Sequence, residues 1–92
     1  MTPKRREQIL AIADGNPQTF PILHQLDHFV HADKMFDWMI QNRITGKTLV
    51  DLIANEFQHS WLTFGKWVIM RLNKDNEMKK VIAGRDFKTN SI

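Results

Sequence analysis

Apolar residues recur every three or four positions along most of the chain, the period of an α-helix with one buried side. The clearest run lies in residues 44–72, which hold two of the three tryptophans. At about 100° per residue, Leu49, Val50, Leu52, Ile53 and Phe57 fall on one side of a helix over 46–57. Lys47, Thr48, Asp51 and Asn55 fall on the other. Thr45 is placed to cap its start, because a hydroxyl can accept from the unpaired N–H groups of a first turn. The pattern breaks at Gln58-His59-Ser60, where Ser60 is the next good cap. A second helix is predicted from Trp61 to about Leu72. Its inward side carries Trp61, Phe64, Val68, Ile69 and Leu72, with Leu62 at the margin and Gly65 leaving room for a neighbouring helix.

The same reading orders the rest. Thr2 and Pro3 suit the cap and first turn of a helix reaching about Asp14, with Ile9, Ile12 and Ala13 inward. Gly15 stops it. Pro21 would kink a helix begun at Pro17, so the next is expected to start near Thr19, with Ile22, Leu23, Leu26, Phe29 and Val30 inward. Asp33 is expected to cap a third helix with Met35, Phe36, Trp38, Met39 and Ile40 on one side. Lys34, Asp37 and Gln41 then face water. Asp75 is expected to cap a last short helix with Met78, Val81 and Ile82 inward, ended by Gly84. No strand pattern or repeat occurs. The expectation is an all-α, single-domain bundle of five or six short helices over 1–84, with 85–92 a disordered tail.

Composition narrows the function classes. Zero cysteines exclude disulfides, thiol catalysis and cysteine-ligated zinc, which fits a cytoplasmic setting without requiring one. Lys4-Arg5-Arg6 precede only a short apolar run, too short for a signal-peptide core, and no run approaches a membrane span. The net charge of +3 is unevenly spread. Residues 1–64 carry six Lys/Arg against seven acids, a net of −1; residues 65–92 carry seven against three, a net of +4. A basic C-terminal third can meet phosphates or an acidic protein; it can equally be a solvated face.

Trp67 and Met70 fall off the inward side and share a face with Thr63, Lys66 and Lys74. Either another helix covers them, or they form a partner-binding patch, since tryptophan flanked by lysine is favoured at interfaces. Ile53 through Ser60 resembles a helix-turn-helix break, with Ala54 small enough for a close crossing and Gln58 standing where the motif usually has glycine. In that alternative DNA would be met by Lys47, Trp61, Thr63, Lys66, Arg71 and Lys74. However, Trp61-Leu62-Thr63 departs from the polar readers of a recognition helix. A homodimer burying Trp67 and Met70 is a third alternative.

The segment Ala13-Asp14-Gly15-Asn16-Pro17, followed by an apolar helix and then Arg43-Ile44-Thr45-Gly46, resembles a group of short uncharacterised proteins of bacteriophages and prophages. The resemblance spans about residues 10–82. The chain differs in having Gln18-Thr19 where small residues are usual, and Gln58-His59 where a cysteine-containing turn is common. The group has no established activity, so the resemblance implies an origin and a helical fold.

Signals of enzymatic chemistry fail on inspection. His24, His28 and His31 would stack on one exposed helix side, a spacing able to hold zinc, copper or nickel. Gln25, however, stands where a zincin needs its general-base glutamate. Gly46-Lys47-Thr48 lacks the preceding strand and earlier glycine of a phosphate loop; Gln41 is at that position. His59 and Ser60 are only sequence neighbours, and no carboxylate pair stands apart from capping and surface roles. The sequence therefore predicts no enzyme and no cofactor. It predicts a small binding or regulatory protein, phage- or prophage-derived, docking a partner macromolecule through Thr63, Lys66, Trp67, Met70 and Lys74.

Overall fold

Five helices follow one another through short links: α1 (Pro3–Ala13), α2 (Thr19–Leu26), α3 (Ala32–Gln41), α4 (Gly46–Glu56) and α5 (Trp61–Ser91). This computed structural model describes the backbone of residues 2–91 and the side chains of residues 2–76. No strand occurs among the described residues. Thr2 caps α1, its hydroxyl accepting from the Arg5 N–H at 3.1 Å. Ser60 caps α5, accepting from the Thr63 N–H at 3.1 Å. Thr45 occupies the cap position of α4 with extended backbone, but its hydroxyl makes no capping bond.

The core is the meeting of the inward stripes. Ile12, Leu23, Leu26, Met35, Phe36, Met39, Leu49, Ile53, Phe64 and Val68 are buried together. α3 packs between α1 and α5, and α2 touches α1, α4 and α5. Two glycines set close approaches. Gly65 of α5 lies against Leu26 and Phe29, where an added Cβ would come within 2.5 Å of the Phe29 ring. Gly46 starts α4 at φ +52, where an added Cβ would come 3.3 Å from the Asp14 side chain and 3.6 Å from the Ala13 carbonyl. The Ala13–Pro17 turn and the Ile44-Thr45-Gly46 link, far apart in sequence, therefore pack on each other.

The α3–α4 link is a Schellman closure. Ile44 donates to the Met39 carbonyl at 2.9 Å and Arg43 to that of Ile40 at 3.1 Å, with Arg43 left-handed at φ +56. Ile44 and Met39 are both buried, the apolar contact that accompanies this motif. A left-handed residue with a Cβ costs roughly 1 kcal/mol, and Arg43 is exposed and forms no ion pair among the described residues. Arg43→Gly is expected to raise stability by about 0.5–1 kcal/mol, read as a higher urea midpoint at unchanged slope.

Other expectations are corrected. Asp33 does not cap α3; the cap position is His31, and Asp33 sits in the first turn. Its carboxylate faces α1 instead, accepting from Gln8 Nε2 at 3.2 Å and pairing with Lys4 at 3.3 Å. Asp37, expected in water, is half-buried and accepts from Gln8 Nε2 at 2.8 Å. Val30 is 94% exposed, because α2 ends at Leu26 and the helical period does not extend into the turn that follows. Asp75 lies inside α5, which runs unbroken past both Asp75 and Gly84. The inward placing of Met78, Val81 and Ile82 and the tail at 85–92 fall outside the described side chains.

Gln8 is the polar residue that periodicity passes over. It is 4% exposed and bridges α1 to α3, while Arg5 donates to its Oε1 at 3.0 Å. Arg5 also pairs with Asp27 and lies 5.1 Å from the Phe36 ring centroid. Gln8→Ala is expected to cost about 1–2 kcal/mol. Charge-assisted bonds are lost, but the half-exposed Asp33 and Asp37 can recover water. Thermal unfolding of the variant checks the value.

Candidate functional site

Four of the five residues of the expected partner patch lie on one outward strip of α5. Thr63, Lys66, Met70 and Lys74 are exposed, and Met70 is 68% open to solvent. Steps of three or four residues align them along the helix. Leu62, 44% exposed, and Arg71 flank the strip. No acidic residue occurs between Glu56 and Asp75. The Asp75 carboxylate is turned toward α3, where it accepts from the Trp38 indole N–H at 3.1 Å.

Trp67 is placed differently from its neighbours. Its ring is half-buried, 5.6 Å from the Trp38 centroid, 5.3 Å from Phe57 and 6.0 Å from Phe64. Three elements thus close over the tryptophan: α3, α5 and the α4–α5 link. The α5 wheel put it off the inward side, and Trp38 meets it there. Its role in this arrangement is to fix α5 on the bundle, which leaves Met70 and Leu62 as the exposed apolar side chains of the strip.

The four-residue link at 57–60 breaks the helix with two consecutive left-handed residues, Gln58 at φ +51 and His59 at φ +62. His59 donates to the Ile53 carbonyl at 2.9 Å and Ser60 to that of Phe57 at 2.9 Å. Trp61, expected near bases in the DNA alternative, is half-buried with its ring edge-on to Phe29 at 6.2 Å. Lys47, on α4, is exposed.

The three histidines do not form the stack that helical spacing would give. Only His24 lies in α2; His28 and His31 follow its end. The His24 and His28 rings meet edge to face at 5.5 Å. Among the described residues no group of three His, Cys, Asp or Glu is placed to hold a metal ion. No described helix is long and apolar enough to cross a membrane.

An open groove of about 670 Å³ runs beside the α3–α5 contact. Trp38 and Leu72 line it, with Lys34, Asp37, Asn42 and Asp75 around them. Its two carboxylates are already engaged, Asp37 by Gln8 and Asp75 by Trp38. The groove was not foreseen from the sequence. The available signal was Trp38, because a buried indole N–H needs an acceptor, but nothing local pointed to Asp75. No family model, curated protein or solved structure matches the chain.

Proposed function

We propose that this is a non-enzymatic binding protein that docks an acidic protein partner across the outward strip of α5. The observation that carries the reading is the make-up of that strip. Exposed Leu62 and Met70 stand among Lys66, Arg71 and Lys74 with no acid between Glu56 and Asp75. Methionine suits such a surface because its flexible, polarisable side chain adapts to irregular partners. The cations would steer association, while burial of Met70 and Leu62 would supply affinity. Trp67 contributes by holding the strip in place. The Ala13–Pro17 segment supports a phage or prophage origin for such an adaptor.

A second reading, DNA binding through α4 and α5, draws support from the capped turn at 57–60 and from exposed Lys47, Lys66, Arg71 and Lys74. The two readings differ in salt response. Four phosphate contacts would weaken binding about a hundredfold between about 50 and 200 mM salt, whereas a contact centred on Met70 would weaken only a few-fold. Fluorescence anisotropy with a labelled acidic amphipathic peptide and with mixed-sequence duplex DNA separates them. The proposal expects peptide binding that drops about tenfold in Met70→Ala, with Lys66→Ala and Lys74→Ala acting mainly on the association rate. Binding of DNA with the steep slope, and none of peptide, would favour the second reading.

A further inference from the structure

The link between α4 and α5 is built from residues that favour another conformation. Residues between Gly46 and Gly65 include no glycine or proline. Yet Gln58 and His59 are both held left-handed, at φ +51 and +62. This geometry is unfavourable for residues with a Cβ and normally goes to glycine. Strain of this kind persists only where surrounding contacts enforce it. Here the enforcing contacts are two backbone bonds to Ile53 and Phe57, the Ser60 cap on Thr63, and the Phe57 ring against Phe64 and Trp67.

The apolar pattern does not stop at the link. Leu49, Ile53, Phe57, Trp61, Phe64, Val68 and Leu72 are spaced by steps of three or four throughout. A straight helix through 57–60 would therefore carry one unbroken apolar stripe. It would also relieve both left-handed residues at the cost of the Ser60 cap. Straightening within a single chain is impossible without stripping α5 from its packing. Gly65 would leave Leu26 and Phe29, and Trp38 would lose Asp75 and Trp67. A second copy of the chain supplies the same surfaces. α4 packs on α2, and α5 packs on α2 and α3, so α5 can be exchanged while α4 stays.

We propose that the 57–60 link is a hinge through which two copies of this chain form a dimer by exchanging α5, with α4 and α5 fused into one helix. Every α5 contact re-forms between chains, and only the turn is exchanged for helix. Strained short hinges are a known route to such exchange. The proposal is independent of what the outward strip of α5 binds.

Sedimentation equilibrium across a concentration series, to millimolar protein, tests it on the full chain. The wild type is expected to show a concentration-dependent dimer. Gln58→Ala with His59→Ala strengthens association at least tenfold. Gln58→Gly with His59→Gly removes the dimer and raises the Tm of the monomer, because glycine tolerates the turn. The absence of cysteine allows Asp51→Cys and Asn73→Cys labels. In dimers diluted with unlabelled chain, their spin–spin separation is expected at about 33 Å, the length of 22 residues of straight helix, against a shorter distance in the bent monomer. A wild type and alanine pair that stay monomeric would overturn the proposal. So would a dimer indifferent to both pairs of substitutions, a glycine pair with no gain in Tm, or dimer labels at the monomer distance.

Discussion

Replacing Phe64 with alanine is expected to lower the Tm by more than about 15 °C, the largest effect of any single side chain considered. Phe64 is fully buried. Its ring lies 5.4 Å from Phe57 and 6.0 Å from Trp67, so it joins the α4–α5 link to the aromatic contact between α5 and α3. A buried phenylalanine truncated to alanine costs about 3–5 kcal/mol, combining lost transfer energy with the cavity left behind. A domain this size holds only about 5–15 kcal/mol in all, and each kcal/mol moves its Tm by about 4–8 °C. The loss should also loosen Trp67, seen as a red shift of tryptophan emission before global unfolding. A shift in Tm below about 5 °C would mean that Phe64 is not at the centre of the core.

The second large effect changes sign with its surroundings. Gly65→Ala improves helix propensity by about 1 kcal/mol, yet it is expected to destabilise the protein by up to about 2 kcal/mol net. The added methyl would sit 2.5 Å from Cε2 of Phe29 and 3.2 Å from Cδ2 of Leu26. Overpacking of this kind costs about 1–3 kcal/mol. Relief requires the Phe29 ring to leave its edge-on contact with Trp61. In a Phe29→Ala background the ring clash is gone, and the propensity gain is opposed only by the 3.2 Å approach of Leu26, whose side chain can shift into the space the ring vacates. There Gly65→Ala should stabilise, and urea unfolding of the four proteins of this cycle reads the reversal as a coupling energy.

What the sequence makes legible is what a single helix decides. The inward stripes, the Thr2 and Ser60 caps, the start of α2 near Thr19 and the close approach at Gly65 depend on period, cap chemistry or a missing side chain. What escapes it depends on a partner from elsewhere in the chain. Asp33 and Asp75 look like caps because aspartate commonly starts helices; their actual partners are Gln8 and Trp38, from α1 and α3. Gln8 looks like surface until α3 brings two carboxylates to it. Trp67 falls off the inward side of its own wheel, which leaves open whether another helix covers it; Trp38 of α3 does. Val30 differs for another reason: α2 ends at Leu26, so the helical period does not reach it. At the candidate site the same division holds. Thr63, Lys66, Met70 and Lys74 were readable as an outward strip, whereas the part played by Trp67 needed the packing of α3.

The most direct measurement is an amide-correlation NMR titration of the labelled protein with the acidic amphipathic peptide, repeated with duplex DNA, at low and moderate salt. Peptide shifts are expected to cluster on 62, 63, 66, 70, 71 and 74, to survive moderate salt and to disappear in Met70→Glu with Lys66→Glu. Peptide shifts gathered instead on the α3–α5 groove around Trp38, or none on α5 with either ligand, would contradict docking across the outward strip of α5.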